Sequence, residues 1–422
     1  MNNRTLKDTL QIGFALFALF FGAGNLIFPP YLGWQSGDNW FVGFLCFLFV
    51  DIGMGLFIIC AIAKIGEGSE GIVNPLGRKC TFIFLSAICL CIGPCIAIPR
   101  TASLTYDIGV VPAFGEVNSW IVTFVFFAIA FVSSIRKSKV VSLIGNGMAP
   151  IMLVALLFMI AVSIINPIGN IAPSYSMETV IQDSLLAGYQ TMDMLAAVIF
   201  AIAMLNAIKE KGYQRLSQQS FMLKWGGLFA TFLLFMVYGG LAYIGATASV
   251  NVTEEMSQSR LLVALVYTLM GDMGLNLLSV IVSFACLTTA IGLLTSISEY
   301  FEEHLHISYE ILVMIFTIVS WILSNLGTTA IISLAVPILN LLYPILIILT
   351  FYAFIREIVY FYEPCQFAVF GAFTVSLIQE IEKVITMDLI SSCLPLNGIG
   401  FSWLIPSLVM FVLGIIYCRI RS

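Results

Sequence analysis

The chain has 422 residues, of which 60% are hydrophobic and 10% charged, whereas an average soluble domain carries about 25% charged residues. Apolar runs of about 20 residues recur along its length, and each is long enough to cross a hydrocarbon core about 30 Å thick as a helix. Because no stretch between these runs is long enough for a soluble domain, the composition excludes a soluble protein. It predicts an all-α membrane protein with a single transmembrane domain, residues 1–422.

Twelve transmembrane helices are predicted, with a short extra helix at about 261–270 before the eighth. Fifteen of the 18 lysines and arginines fall on the side of the membrane that carries both termini. Cytoplasmic loops are enriched in these residues, so we expect both termini to be cytoplasmic. The approximate helix bounds in chain order are 10–34, 40–63, 80–104, 117–134, 140–165, 184–208, 226–247, 275–300, 308–326, 330–354, 365–378 and 401–418.

The first predicted helix contains a polar break. In the sequence FFGAGNLIFPP, residues 20–30, two glycines and an asparagine interrupt the apolar run near the expected middle of the membrane. Backbone groups at that depth must form hydrogen bonds inside the protein or line a cavity, because lipid offers no partner. The stretch predicts a broken helix whose freed amides and carbonyls hold a polar solute. Pro29 and Pro30 are interpreted as a stiff end to its outer half.

The second and third predicted helices each carry an ionisable residue. Asp51, at the middle of the second, is predicted to be structural, either bonding a neighbouring helix or staying protonated, and a place on a proton path is left open. The third helix carries Gly93-Pro94 and is expected to kink there. Arg100, near its outer end, is predicted to extend outward to the membrane surface rather than to contact an anion.

The sixth predicted helix is interrupted by GYQTMDMLAA, residues 188–197. If helices 1–5 (8–165) and 6–10 (184–355) form two repeats of opposite orientation, the two breaks occupy matching places, which indicates a transporter's central site. Two accessory helices follow at 365–420. For Asp193, two interpretations stay open: it faces an ammonium, a cation or water, or it caps the restarted helix.

The eighth predicted helix contains FACLTTAIGLLTS, in which Ala285, Thr288 and Thr289 share one helix face. Threonine hydroxyls and backbone carbonyls are hard oxygen ligands suited to a small cation. The alternative is that both hydroxyls bond back to carbonyls one turn earlier, which is common for threonine in membrane helices.

Together, these three motifs resemble the bacterial branched-chain amino acid:cation symporter family, a branch of the amino acid-polyamine-cation superfamily. The resemblance implies the leucine-transporter-like fold, with inverted five-helix repeats, unwound helices 1 and 6, and alternating access. It also implies a sodium site and no other cofactor. Lithium or proton coupling is left open, as is a second cation site. The implied sodium ligands are the carbonyls of Ala18, Phe21 and Ala285 and the hydroxyls of Thr288 and Thr289.

The resemblance places the substrate between the two breaks. Its carboxylate is expected on the amides that begin the second half of helix 1, where the helix dipole favours an anion. Its ammonium is expected to face carbonyls near Phe20 and at 189–193, and its side chain an apolar cavity from helices 3, 6 and 8. The expected substrate-binding residues are Phe20, Gly22, Ala23, Gly24, Asn25, Tyr189, Thr191, Met192, Asp193, Thr289 and Leu293.

The expected function is sodium-coupled import of leucine, isoleucine and valine across a bacterial inner membrane. These side chains differ by at most one methylene, worth about 1 kcal/mol in a pocket, so they should be poorly separated. The expected partners are the amino acid, sodium and the lipid bilayer, without nucleic acid or an obligate protein partner.

Three alternatives remain. The first is a proton-coupled or exchange transporter of other small neutral amino acids. The second is a membrane enzyme, for which no HExxH, P-loop or GxSxG sequence is found. The third is a channel, but two separate breaks in one chain do not make a ring of equivalent filter residues. His304 and His306 are assigned to a loop.

Overall fold

A computed structural model describes residues 3–66, 68–136, 140, 143–173, 176–248, 256–385, 394–397 and 400–421. Within these ranges the regular structure is entirely helical. Eight of the helical stretches are long and apolar enough to cross a membrane, and two shorter apolar helices accompany them. The prediction of an all-α membrane protein is confirmed. The count of twelve crossings and the repeat boundaries stay predictions.

Several of the crossings predicted as single helices consist of two shorter helices. In chain order the main helices are α1 (Asn3–Phe20), α2 (Ala23–Ser36), α3 (Trp40–Leu48), α4 (Met54–Ile65), α5 (Arg78–Leu90), α6 (Ala97–Leu104), α7 (Ser119–Ser134), α8 (Ala149–Ile165), α9 (Met177–Thr191), α10 (Asp193–Glu210), α11 (Leu216–Thr247), α12 (Gln258–Leu305), α13 (Tyr309–Ser324), α14 (Thr328–Ile355), α15 (Glu363–Ile385) and α16 (Leu404–Arg421).

Both predicted breaks are present. The first lies between α1 and α2 and consists of Phe21 and Gly22. The second is a single residue, Met192, whose φ of 70° places it in the left-handed region between α9 and α10. Each break is short. It frees carbonyls at the end of the helix before it, α1 or α9, and amides at the start of the helix after it, α2 or α10.

Two of the π-helical turns in the described residues interrupt the second and third predicted crossings. A π-helical turn, Phe49–Gly53, joins α3 to α4 and carries Asp51. A second π-helical turn, Cys91–Cys95, precedes α6 and contains a non-helical Gly93, which confirms the predicted kink. Such turns widen the helix and redirect side chains, and they are frequent at functional sites.

The broken helices lie at the centre of the molecule. In α10 every residue from Asp193 to Ala201 is buried, as expected for a helix enclosed by other helices rather than by lipid. By contrast, only 17% of α16 is buried inside the protein. The polar breaks are therefore held in the protein interior, where the freed backbone groups have protein partners or a cavity.

The outer half of the first broken helix is in backbone contact with α11. A Cβ atom on Gly33 would lie 1.9 Å from the carbonyl oxygen of Ala242, and a Cβ on Gly245 would lie 1.8 Å from that of Pro30. Pro29 and Pro30 lie within α2, which continues to Ser36. The prediction that these prolines end the outer half is therefore wrong, because the close approach of α11 helps to hold a helix that proline weakens.

The long helix α12 combines the predicted short helix with the predicted eighth crossing. Gly271, with φ 60° and ψ −147°, separates the two parts. The helix continues to Leu305, so the assignment of His304 to a loop is wrong. The ring of His304 packs at a tilt against that of Tyr300, with centroids 4.3 Å apart, and its Nε2 lies 2.8 Å from a carboxylate oxygen of Glu70. Both contacts favour the extra helical turn.

Candidate functional site

A small cavity lies between the two helix breaks. Its volume is about 20 Å³, measured as the space open to the centre of a water molecule, which is room for about one water. Seven of the expected substrate-binding residues line it: Gly22, Asn25, Thr191, Met192, Asp193, Thr289 and Leu293. The other lining residues are Leu19, Ile92, Ala97, Arg100, Thr101, Ala196 and Phe200. The apolar part of the wall thus comes largely from the third, sixth and eighth predicted crossings.

The remaining expected substrate residues lie around this cavity without lining it. The ring of Phe20 packs edge-on against Phe200, with centroids 5.6 Å apart. Tyr189 turns toward Tyr343, at 4.4 Å between ring centroids. Ala23 is the first residue of α2, and Gly24 lies one residue further along, so both contribute backbone to the helix N-terminus.

Asn25 connects two carboxyl groups from different helices. Its Nδ2 lies 2.6 Å from Oδ2 of Asp193 and 3.5 Å from Oδ2 of Asp51. It also donates to the hydroxyl of Tyr238 on α11. The hydroxyl of Thr191, the last residue of α9, donates to Oδ1 of Asp51 at 2.6 Å. The two breaks are therefore joined by one buried hydrogen-bond network.

Asp51 has a larger role than the sequence indicated. Its bond to Thr191 is one of the predicted possibilities, a bond to a neighbouring helix. The π-helical turn, however, also directs it into the network at the breaks, where it is fully buried at 0% exposure. Asp51 therefore belongs to the candidate site.

Arg100 does not extend to the membrane surface, so that prediction is wrong. The side chain is 3% exposed and reaches the break between α9 and α10. It donates from Nη1 to the carbonyl of Gln190 at 2.6 Å and from Nη2 to that of Thr191 at 3.2 Å. These carbonyls lie at the negative end of the α9 dipole, which stabilises a cation there. Arginine's several fixed donors make such double binding possible.

Arg100 also lies directly against the first break. A Cβ atom on Gly24 would be 2.9 Å from Nη2 of Arg100, so the missing side chain leaves room for the guanidinium. Nε of Arg100 is buried without a hydrogen-bond partner among the described residues. The cavity is therefore lined by a cation, Arg100, and by a carboxyl group, Asp193.

The expected sodium ligands are brought together in part. The hydroxyl of Thr288 lies 2.9 Å from the carbonyl oxygens of both Ala18 and Ala285, so it bonds back along α12 and also across to α1. The hydroxyl of Thr289 donates to the carbonyl of Leu19 at 3.1 Å. Leu19 was not expected, and no hydroxyl contact is found for Phe21 among the described residues. Four of the five expected ligands therefore lie where α12 crosses the end of α1: Ala18, Ala285, Thr288 and Thr289.

Sequence reasoning missed Arg100, Asp51 and Tyr238 as site residues. For the first two a signal was present, because an ionisable residue inside a membrane helix is a functional candidate by default. Of the three ionisable residues, only Asp193 was placed in the candidate site from the sequence. No local pattern marks Tyr238, whose partner Asn25 lies 213 residues away in the chain.

The fold is shared with solved transporters of low sequence identity. The chain is similar to Mhp1, a nucleobase-cation-symport-1 family transporter in a closed conformation with bromovinylhydantoin bound. The TM-score is 0.63 at 14% identity, covering 97% of this chain and 92% of that one. It is also similar to a substrate-bound, outward-open Na⁺-coupled sialic acid symporter, with a TM-score of 0.60 at 13% identity, covering 96% and 90%. These likenesses show that the chain has the leucine-transporter-like fold.

Sequence relatives give the family. Residues 5–421 match the family model described as branched-chain amino acid transport protein. The chain is 34% identical to the branched-chain amino acid permease BraB of Bacillus subtilis, over 97% of this chain and 95% of that one. It is 32% identical to the permease BrnQ of Escherichia coli K12, over 98% and 96%. The chain therefore belongs to the branched-chain amino acid transport protein family, and it is a multi-pass membrane transporter rather than an enzyme.

Proposed function

We propose that this protein imports leucine, isoleucine and valine by alternating access, driven by a sodium gradient. It would do so across a bacterial cytoplasmic membrane, with both termini on the cytoplasmic side. The observation that carries the proposal is the cavity between the two helix breaks, which joins an arginine and a carboxyl group to an apolar wall. A free amino acid with an aliphatic side chain has the complementary groups.

The two charged ends of the amino acid would bind at opposite parts of this cavity. Its carboxylate would lie against the amides that begin α2 and the guanidinium of Arg100, where both the helix dipole and the arginine favour an anion. Its ammonium would lie against Asp193, because Arg100 already binds the freed carbonyls at the end of α9. Arg100 is an addition to the amides expected from the sequence.

The aliphatic side chain would occupy the wall formed by Ile92, Ala97, Ala196, Phe200 and Leu293. A branched side chain is larger than the present cavity of about 20 Å³, so binding requires the surrounding helices to move apart. This requirement is consistent with alternating access, in which the same site opens to one side of the membrane at a time.

Sodium would bind where α12 crosses the end of α1. A hydroxyl has both a donor and acceptor lone pairs. Thr288 and Thr289 could therefore turn their oxygens toward a cation while the carbonyls of Ala18 and Ala285 supply further ligands. Such hard oxygen ligands suit Na⁺, although they also suit Li⁺. Phe21 stays an expected ligand from the resemblance alone.

The test is uptake of labelled leucine into proteoliposomes under an imposed sodium gradient. We expect sodium to stimulate uptake in the wild type. Thr288→Ala and Thr289→Ala should each raise the sodium concentration for half-maximal uptake by roughly tenfold, about the effect of losing one hydrogen-bonding ligand. Thr374→Ala is the matched control, because that hydroxyl bonds back to the carbonyl of Phe370 at 2.8 Å on an exposed part of α15.

The outcomes separate the alternatives. If leucine uptake ignores sodium but follows a proton gradient, the protein is a proton-coupled transporter instead. If both threonine variants keep the sodium dependence of the wild type, the cation lies elsewhere. Conductance without saturable uptake would indicate a channel.

A further inference from the structure

Two carboxyl groups lie close together in the middle of the protein. Asp51 is 0% and Asp193 5% exposed, and one oxygen of each faces the same amide nitrogen of Asn25, at 3.5 Å and 2.6 Å respectively. Asn25 donates toward one oxygen of each. Two ionised carboxylates so close in a water-poor interior repel strongly. A single proton between them replaces that repulsion with a hydrogen bond.

The surrounding groups do not balance two negative charges. Among the described residues, the cation that faces the pair is Arg100 on α6. Tyr238 on α11 and Tyr343 on α14 are the phenols that face it. The thiols of Cys91 and Cys286 are within electrostatic range of Arg100. With one arginine and two carboxylates the site carries one excess negative charge, which is costly in the protein interior. One bound proton makes the empty site neutral.

We propose that Asp51 and Asp193 form a proton-binding site that is occupied when the transporter is empty and emptied when the amino acid and its sodium ion bind. The inference rests on the proposed function and adds a proton, as a second ion beside sodium, to the same transport cycle. The amino acid adds no net charge, while sodium adds one positive charge. The loaded site is therefore neutral only if the proton leaves.

The two carboxyl groups have different positions in this exchange. Asp193 lines the cavity, so the incoming ammonium meets it directly. Asp51 does not line the cavity and is held by the hydroxyl of Thr191 at 2.6 Å. When the ammonium and sodium arrive, the carboxyl O–H bond breaks, the electron pair stays on the oxygen, and the proton passes through the cavity to water. No other reactant is needed.

This arrangement makes protons and substrate competitors. Linkage requires that, if binding of leucine and sodium expels a proton, protons weaken the binding of leucine and sodium by the same factor. In the pH range where the empty pair is protonated, the sodium concentration for half-maximal leucine binding should rise by up to tenfold for each pH unit of acidification. After releasing leucine and sodium, the transporter would change back to its starting conformation with a proton bound in place of sodium.

The experiment measures proton release and leucine binding in the same sample. Purified full-length protein in a weakly buffered solution with a pH-sensitive dye receives labelled leucine in sodium chloride, or in choline chloride as the sodium-free reference. We expect the wild type to release about one proton per leucine bound in sodium, as linkage requires for one displaced proton. Asp51→Asn should bind leucine with the release reduced at least fivefold, because the amide oxygen can still accept the hydrogen bond of Thr191 while the side chain carries no acidic proton.

Asp183→Asn is the matched control. That carboxylate lies on α9, outside the cavity, and accepts a hydrogen bond from Gln35 at 2.7 Å, so its loss should leave the proton release unchanged. Leucine binding without proton release, or with proton uptake, would overturn the inference and leave the proposed function intact. Absence of leucine binding by the wild type would instead overturn the proposed function.

A second measurement does not depend on the folding of any variant. Sodium titrations of leucine binding to the wild type between about pH 5.5 and pH 8.5 should show weaker sodium binding at the acid end, since proton and sodium binding are reciprocal. A sodium affinity that is constant across this range would also overturn the inference. If Asp51→Asn does not fold, this titration and the wild-type proton count decide the outcome.

Discussion

Arg100→Ala is expected to reduce leucine transport by a factor of about 10² to 10³, the scale of removing one partner from a buried charged pair. The guanidinium bonds two carbonyls of the α9–α10 break and lies against the start of α2. Its removal leaves those carbonyls without donors and leaves the carboxyl groups of the site without their facing cation. Both losses affect the point where substrate is expected to bind.

Arg100→Lys sharpens this prediction. A lysine keeps the positive charge but has a single ammonium in place of the fork that reaches Gln190 and Thr191. We therefore expect an intermediate loss, with the apparent affinity for leucine weakened more than the maximal rate. Initial rates of leucine uptake at a range of concentrations, with binding to the purified protein alongside, measure both quantities.

Arg421→Ala, an exposed arginine at the end of α16, is the control and should transport like the wild type. Unchanged uptake by Arg100→Ala would contradict the buried position and restore the outward-reaching side chain expected from the sequence.

Gly245→Ala is expected to prevent most of the protein from folding. The added methyl carbon would lie 1.8 Å from the carbonyl oxygen of Pro30 and 2.7 Å from its carbonyl carbon. A side chain in the way can rotate, but backbone cannot, so α2 and α11 must separate. Overpacking of a core usually costs about 1–3 kcal/mol, and contact with backbone places this substitution at or above the top of that range.

The measurement is the yield of monodisperse protein on size-exclusion chromatography together with its melting temperature in detergent. Gly33→Ala should behave similarly, because its methyl carbon would meet the carbonyl of Ala242 at 1.9 Å. Gly147→Ala is the control, since nothing lies within 4 Å of the new carbon. A melting temperature for Gly245→Ala equal to that of Gly147→Ala would show that α2 and α11 are not in backbone contact.

The places of the two breaks were predictable from the sequence because of what lipid forbids. Glycine and asparagine inside an apolar run have no hydrogen-bond partners in a bilayer, so the sequence around Gly22 and the one around Met192 identified the breaks to within a few residues. The face shared by Ala285, Thr288 and Thr289 follows from helix geometry alone. Both kinds of prediction use only local chain chemistry.

The partners across the site were not predictable in this way. Asn25 meets Asp193 over a separation of 168 residues, and Arg100 meets Thr191 over 91. Whether an arginine near a helix end turns outward or inward depends on which neighbour covers that face, and periodicity does not contain this information. The two prolines of α2 were misinterpreted for the same reason, because α11 supports that helix from outside.

Pro29 separates the main-chain bonding of Asn25 from its side-chain bonding. The ring nitrogen of Pro29 cannot donate to the carbonyl four residues earlier, so the main chain of Asn25 lacks its usual helical donor next to the cavity. Its side chain meanwhile bonds the carboxyl group of Asp193 at 2.6 Å. Substitutions at position 25 therefore change the side-chain hydrogen bonds. A substitution of Pro29 restores the N–H that can donate to the main-chain oxygen of Asn25. Substitutions at positions 25 and 29 therefore change different hydrogen bonds of the same residue.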